Sequence, residues 1–318
     1  MALSLKRAVI GTPIATARAI HERLDNWVAL AVFASDNLSS SAYATEAILL
    51  VIAVEASARQ LAASVPIAAG IVLLTALVAL SYRQTVLAYP TGGGAYIVAR
   101  ENLGMRWANV AGASLLIDYV LTVSVSVAAG VQAVTSAISW LQPWAVHLGV
   151  GAIALIAWAN LRGVRESGLL FAIPSYSFVI AMLITLGYGM VKVAMGAVPP
   201  PPPQTLPPGG ALGVLPLFLV LRAFASGCAA LTGIEAISNG VQAFKPPEGR
   251  NAAKTMLWMA GLLVLLFMGI TILARAYAIV PDVTGGGHGV GETVVSQVAA
   301  AVWGGKNTPY FIVQLTTM

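Results

Sequence analysis

The chain has 318 residues, of which 58% are hydrophobic and only 9% charged, with a mean hydropathy of +0.84 and a formal net charge of +5. Soluble domains carry roughly 25% charged residues, so a water-soluble globule is excluded and the long apolar runs read as spans of an all-α integral membrane protein. The positive charge would point to nucleic acid in a soluble protein; here the basic residues fall in short loops between apolar runs and act as topology signals. Cys228 stands alone, and His21, His147 and His288 are scattered, so neither an intrachain disulfide nor a zinc-type spacing exists.

Residues 1 to 26 are basic and amphipathic, unlike a secretory signal, and read as an uncleaved cytoplasmic segment. Span one covers 27 to 54. Its middle, Ser35 to Ser41, packs together Asp36, Asn37 and four serines, side chains that compete for backbone hydrogen bonds, so an unwound break is predicted there. Span two covers 62 to 82. The segment AYPTGGGAYIVARENLG (88 to 104) fits neither the dinucleotide nor the Walker glycine spacing and follows no strand; it reads as a tight turn into an interfacial helix. Span three, 108 to 138, places Asp118, Thr122 and Ser126 at i, i+4 and i+8, on one helical face. Hydroxyls in membranes also bond their own i−4 carbonyls or pack against neighbouring helices, and only the acid beside them turns the stripe into a candidate site.

Spans four (144 to 160) and five (168 to 195) complete a first group of five, residues 27 to 195. Residues 196 to 211 contain PPPPPQTLPPGG, a semi-rigid outer spacer. A second group, 212 to 318, holds span six (212 to 243), span seven (255 to 280) and the opening of an eighth from 309. Span six places Thr232, Gly233 and Glu235 at mid-depth, a second predicted break. GGGHGVG (285 to 291) reads as an outer loop. Because the last apolar stretch is too short to cross a bilayer, the chain is expected to be a C-terminally truncated fragment lacking further spans.

Twelve of the 17 Lys and Arg lie on one side of this arrangement: Lys6, Arg7, Arg18, Arg23, Arg83, Arg100, Arg106, Arg162, Arg165, Lys245, Arg250 and Lys254. The other side has Arg59, Lys192, Arg275 and Lys306, so the positive-inside rule places the N-terminus in the cytoplasm. Arg222 falls within span six, where it either snorkels to the outer interface or serves as a gate residue. Trp27, Tyr89, Tyr96, Trp107 and Trp144 near span ends form an aromatic belt.

Ionisable residues inside a bilayer cost several kcal/mol and are functional hypotheses by default. Asp36, Glu46, Asp118 and Glu235 qualify. For Asp36 and Glu235 the plainer account is a hydrogen bond to amides exposed at the breaks, and for Tyr43 it is packing. Glu46 lies ten residues beyond Asp36, about 15 Å along a helix, and is assigned to the outer vestibule rather than the site. Two interrupted helices in corresponding positions of two five-span groups are the sequence mark of a transporter site. Three carboxylates among hydroxyls and freed carbonyls make an all-oxygen site for a hard monovalent cation, with no His, Cys or Met cluster for a transition metal. One such cation cannot neutralise three acids. A proton on Asp36, Asp118 or Glu235 is therefore expected as the second coupled ion.

FASDNLSSSAYATEAILLVI, SYRQTVLAYPTGGGAYIVARENLG, ASLLIDYVLTVSVSVAAGV, NLRGVRESG and LRAFASGCAALTGIEAISNGVQAFKPPEGRNA occur in this order. The chain thereby resembles the KimA-type (KUP-type) potassium importers of the amino acid–polyamine–organocation (APC) superfamily. The resemblance implies a LeuT-type fold with a 5+5 inverted repeat, broken helices one and six, two further helices and a cytosolic C-terminal domain. It further implies a homodimer in the cell membrane that takes up K+ with protons, without a resident cofactor. The ion site it implies comprises Asp36, Tyr43, Asp118, Thr122, Ser126, Thr232 and Glu235.

Two other readings compete. An amino-acid or polyamine symporter of the same fold commonly has a glycine-rich break in helix one that binds the substrate carboxylate, whereas DNLSSS is acidic and free of glycine. An intramembrane enzyme using Asp118 and Glu235 as an acid–base pair lacks any accompanying nucleophile or metal motif.

Overall fold

A computed structural model describes residues 23–55, 62–161, 164–198, 215–281 and 292–318, although the side chains at 54, 55 and 164–171 are outside the description. The basic residues before Arg23, Arg59, Arg162, the proline run from 199 to 210 and GGGHGVG lie outside the described residues, as does the side chain of Arg165.

Among the described residues the chain is helical, with one isolated bridge between Leu24 and Phe244. The helices are α1 (Asn26–Phe33), α2 (Ser35–Glu55), α3 (Ser64–Ala88), α4 (Gly94–Leu103), α5 (Met105–Ala137), α6 (Ala145–Leu161) and α7 (Val164–Ala194). After the spacer come α8 (Leu217–Gly227), α9 (Ala236–Asn239), α10 (Glu248–Ala276), α11 (Val294–Trp303) and α12 (Thr308–Thr317). Five of the helical segments are long and apolar enough to cross a membrane by length and composition: α3, α5, α6 with its preceding 3₁₀ turn, α7 and α10. Helices α5 and α6 turn Leu116, Val120, Val146 and Leu155 outward, which is what a hydrocarbon surrounding rewards.

The predicted break in span one is present but smaller and earlier than expected. It is a single kink at Ala34 (φ −100°, ψ −7°), and Ser35 to Ser41 are helical rather than unwound. The serines do not displace the backbone ladder; they add to it. Ser35 donates to the Val32 carbonyl at 3.1 Å, Ser39 and Ser40 to the Asp36 carbonyl at 2.8 and 3.0 Å, and Ser41 to the Leu38 carbonyl at 2.6 Å. Hydroxyls that share a carbonyl already bonded by a backbone N–H bend a helix without opening it.

Span six is interrupted as predicted, and more deeply. Helix α8 runs into a 3₁₀ turn, Cys228–Leu231, then into turns through Glu235, and resumes only as the four-residue α9 and a further 3₁₀ turn, Val241–Ala243. Gly233 has φ +79°, a conformation that other residues rarely adopt.

Helix α10 is the spine of the bundle, packed along α3 and against α2, α1 and α7. A second apolar cluster joins α2 (Ala44, Ile48, Ile52) to Ile67 and Ile71 of α3, Ala223 of α8 and Phe267 of α10. At the N-terminal end of the bundle, the Leu24 N–H donates to the Ala243 carbonyl at 2.7 Å and Arg23 pairs with Glu248, clasping the entry to α1 against the start of α10. The glycine-rich segment forms the expected turn into a short helix, α4. Gly92, Gly93 and Gly94 all have positive φ, and the turn docks on broken helix six: the Gly93 N–H donates to the Asn239 carbonyl at 3.3 Å, and the Gln242 amide to the Thr91 carbonyl at 2.5 Å.

Helix α11 is an addition to the sequence-based reading, which had only an outer loop between spans seven and eight. VVSQVAAAVW is too short to span, yet Val294, Val298 and Val302 are fully or almost fully buried against α2, α7 and α12. Thr293 caps it, accepting from the Ser296 N–H at 3.1 Å. Helix α12 folds back beside it, with the Tyr310 and Ser296 hydroxyls 2.8 Å apart, and rests on α5 and α7.

The packing of α8 on α2 and α3 leaves no room at Gly227, where a Cβ would sit 2.5 Å from Ile48 and 2.6 Å from Ile71. Gly227→Leu is expected to destabilise the bundle by about 1–3 kcal/mol through overpacking, read as a lower melting temperature in detergent. Gly151→Leu, which meets open space on α6, is the matched control and should leave the melting temperature unchanged.

Candidate functional site

The two interrupted helices meet at mid-length, and the side chains that join them are those of the DNLSSS segment. The Asn37 amide donates to the Thr232 carbonyl at 2.9 Å and to the Ala230 carbonyl at 3.3 Å, taking up acceptors freed by the break in helix six. The hydroxyls of Ser40 and Thr232 are 2.7 Å apart, those of Ser40 and Tyr43 2.8 Å, and those of Tyr43 and Thr232 3.5 Å. Tyr43 and Thr232 are thus united in one hydroxyl cluster.

Asp36 lies beside this cluster. Its Oδ1 accepts from the Ser126 hydroxyl at 3.1 Å, and its other oxygen lies where a Cβ on Gly233 would come within 2.5 Å. The absence of a side chain at position 233 is what admits the carboxylate to the break. Ser126 brings helix α5 into the site, and Thr122, one turn away, is buried. Asp118, half-buried on the same face of α5, is within electrostatic reach of both Asp36 and Glu235.

Glu235 is 7% exposed, and its Oε1 is buried without a hydrogen-bond partner. The same holds for Asn37 Oδ1 and Asn239 Oδ1. A buried acceptor left without a donor costs about 1–3 kcal/mol, so three acceptors on the two broken helices form a region short of positive charge. Among the described residues no three His, Cys, Asp or Glu come close enough to hold a metal ion together. Asp36 instead has a neutral partner, the Ser126 hydroxyl. That arrangement suits weakly held monovalent ions better than a chelated divalent one.

Glu46 is also placed differently from the sequence-based reading. It does not face an open vestibule but is 7% exposed, with Oε2 accepting from the Val294 N–H at 3.0 Å and Oε1 from the Gln132 amide at 3.3 Å. The signal that α11 would cover it was absent, because the cover comes from a segment about 250 residues away. Beyond it, Lys306 pairs with Glu292 and donates to the Ser136 carbonyl at 3.4 Å; the hydrogen bond with Glu292 raises the Lys306 ammonium above its ordinary pKa.

Several neighbours went unrecognised in the sequence. Ser40 and Asn37 were read only as helix breakers, although Ser40 lies at i+4 from Asp36 and at i−3 from Tyr43, a spacing that puts all three on one face. Tyr119, hydrogen-bonded to the Asn239 amide, and Tyr82 both lie within reach of Glu235 and Asp118. No periodicity in the sequence distinguishes them from packing tyrosines.

The comparisons with known proteins agree with this architecture. Residues 24–317 match the model of a family described as amino acid permease. The chain is 45% identical over 314 residues to the potassium transporter KimA of Bacillus subtilis (strain 168), an alignment that takes in 99% of this chain and 50% of that protein. The chain therefore spans about half the length of the curated relative it matches. These relatives are transporters rather than enzymes, and with nearly its whole length matched, the chain belongs to the amino acid permease family.

Proposed function

We propose that the chain carries the ion-handling part of a secondary active potassium importer that works by alternating access and couples K+ to protons. The observation that carries this reading is the partnerless, buried Oε1 of Glu235 at the break of helix six, beside the Asp36 carboxylate and the Ser40–Tyr43–Thr232 hydroxyls. Acceptors in excess of donors favour a cation, and the potassium transporter of Bacillus subtilis is 45% identical across this region. The ion-binding set in this proposal is Asp36, Tyr43, Asp118, Thr122, Ser126, Thr232 and Glu235. Asp36, Asp118 and Glu235 are the proton-carrying candidates, since one K+ leaves two of three negative charges unbalanced.

In the same reading the chain forms spans one to seven of a LeuT-type 5+5 inverted repeat, inserted in the plasma membrane with its N-terminus in the cytoplasm. The complete protein is a homodimer. Alternating access would use the two clasps already described: the glycine turn on Asn239 and Gln242 on the cytoplasmic side, and α11 on the outer side.

The family description keeps an amino-acid or polyamine symporter as the second reading. Asp36 at the kink of helix one would repel a substrate carboxylate, and Ala34 offers no stretch of bare amides to receive one.

The complete open reading frame that carries this sequence should restore growth of a potassium-uptake-deficient bacterium at low K+, and no rescue despite membrane expression would overturn the potassium reading. Asp36→Asn and Glu235→Gln are each expected to lose that rescue. Gly233→Ala, which strains a positive-φ position and intrudes on Asp36, should raise the half-saturating K+ concentration several-fold without removing the protein from the membrane. Proton coupling predicts that Asp118→Asn changes how K+ uptake depends on external pH; an unaltered pH profile at wild-type expression would count against it.

A further inference from the structure

The buried acid that the ion site does not use is Glu46. It borders a cavity of about 30 Å³ whose polar wall is formed by Ser39, Tyr43, Glu46, Ser126, Gln132 and Thr293. Two of these residues also belong to the inner site: Ser126 donates to Asp36, and the Tyr43 hydroxyl meets Ser40 and Thr232. The cavity therefore adjoins the inner site through the shared side chains of Tyr43 and Ser126; Glu46 lines it, and Asp36, outside its lining, is about 15 Å away along α2 by helical rise.

Among the described residues no cation stands ready to balance a charge on Glu46. Its carboxylate takes only the neutral donors Gln132 and the Val294 N–H, and among the described residues no Lys or Arg pairs with it. Lys306, the nearby base of the α11–α12 turn, is engaged by Glu292 and the Ser136 carbonyl. A buried, hydrogen-bonded carboxylate with no countercharge attracts a cation into whatever space adjoins it. The space admits water-sized particles, which is room for a monovalent ion that exchanges part of its hydration for wall oxygens.

We propose that Glu46, with the hydroxyls of Tyr43, Ser126 and Thr293, forms an outer monovalent-cation subsite that passes K+ to the Asp36–Glu235 site, with α11 as its cover. Tyr43 and Ser126 are the shared wall across which the ion passes. This rests on the potassium-importer reading, and the test separates the two.

The product of the complete open reading frame, reconstituted in proteoliposomes, is assayed for ⁸⁶Rb⁺ uptake against K+ concentration. Glu46→Gln keeps an acceptor for the Val294 N–H and removes only the charge; the half-saturating concentration should rise about tenfold, with the maximal rate within about twofold of wild type. Ala129→Leu fills the cavity from its apolar wall without touching either acid and should produce the same rise; it decides the matter if Glu46→Gln does not yield a monodisperse protein. The proposal requires the shift in both folded variants. Wild-type half-saturation in either, alongside inactive Asp36→Asn, would refute the subsite and leave the importer reading standing. A fall confined to the maximal rate would mark a structural role and refute it as well, whereas an inactive wild-type protein would overturn both.

Discussion

The contact on which the rest of the molecule depends is the seam between helix α2 and the unwound segment of helix six. Unwinding in a membrane frees backbone acceptors that water cannot reach, and each left without a donor carries a cost of several kcal/mol. Asn37 meets that cost by donating to the Ala230 and Thr232 carbonyls, and Ser40 ties in the Thr232 hydroxyl. Only with the break held open in this way can Gly233 present a bare Cα to the Asp36 carboxylate. The seam thus does two things at once: it stabilises an irregular backbone and positions an acid beside it.

What the seam leaves incomplete is as informative as what it satisfies. The carbonyl acceptors at the break have donors, yet the side-chain acceptors Glu235 Oε1, Asn37 Oδ1 and Asn239 Oδ1 do not. An apolar bundle that needed only to be stable would have no use for such oxygens. In the proposed importer, acceptors left without donors on separate residues suit an ion whose occupancy is favourable but escapable.

The two ends of the site are closed by different chemistry. At one end the closure is backbone-rich: a glycine turn too constricted for side chains lies on the C-terminal end of helix six, and Gln242 and Asn239 supply the bonds. At the other it is a carboxylate and an ion pair, Glu46 under the N-terminus of α11 and Lys306 with Glu292 beyond it. In the proposed importer this second closure is the one that a cation would influence directly, because a positive charge beside Glu46 competes with the Val294 N–H for the same carboxylate.

The sequence by itself determined the membrane class, the positions of most of the long apolar helices, the short helix after the glycine turn, the interruption of helix six and the presence of acids within apolar helices. These are local or compositional properties: hydrophobic run length, charge placement, and glycine or acid residues where a helix in lipid resists them. The tertiary structure alone decided that Ser35 to Ser41 remain helical, because hydroxyls sharing carbonyls within α2 and meeting Thr232 across the seam remove the reason to unwind. It also decided that Glu46 is covered rather than open and that VVSQVAAAVW is a buried helix instead of a loop. Both outcomes arise from one packing event between segments some 250 residues apart, for which no local periodicity leaves a mark. The approach of Asp36 to Ser126 and Gly233 was equally hidden, since one sequence face predicts who can meet, while the distances are fixed only when the helices pack.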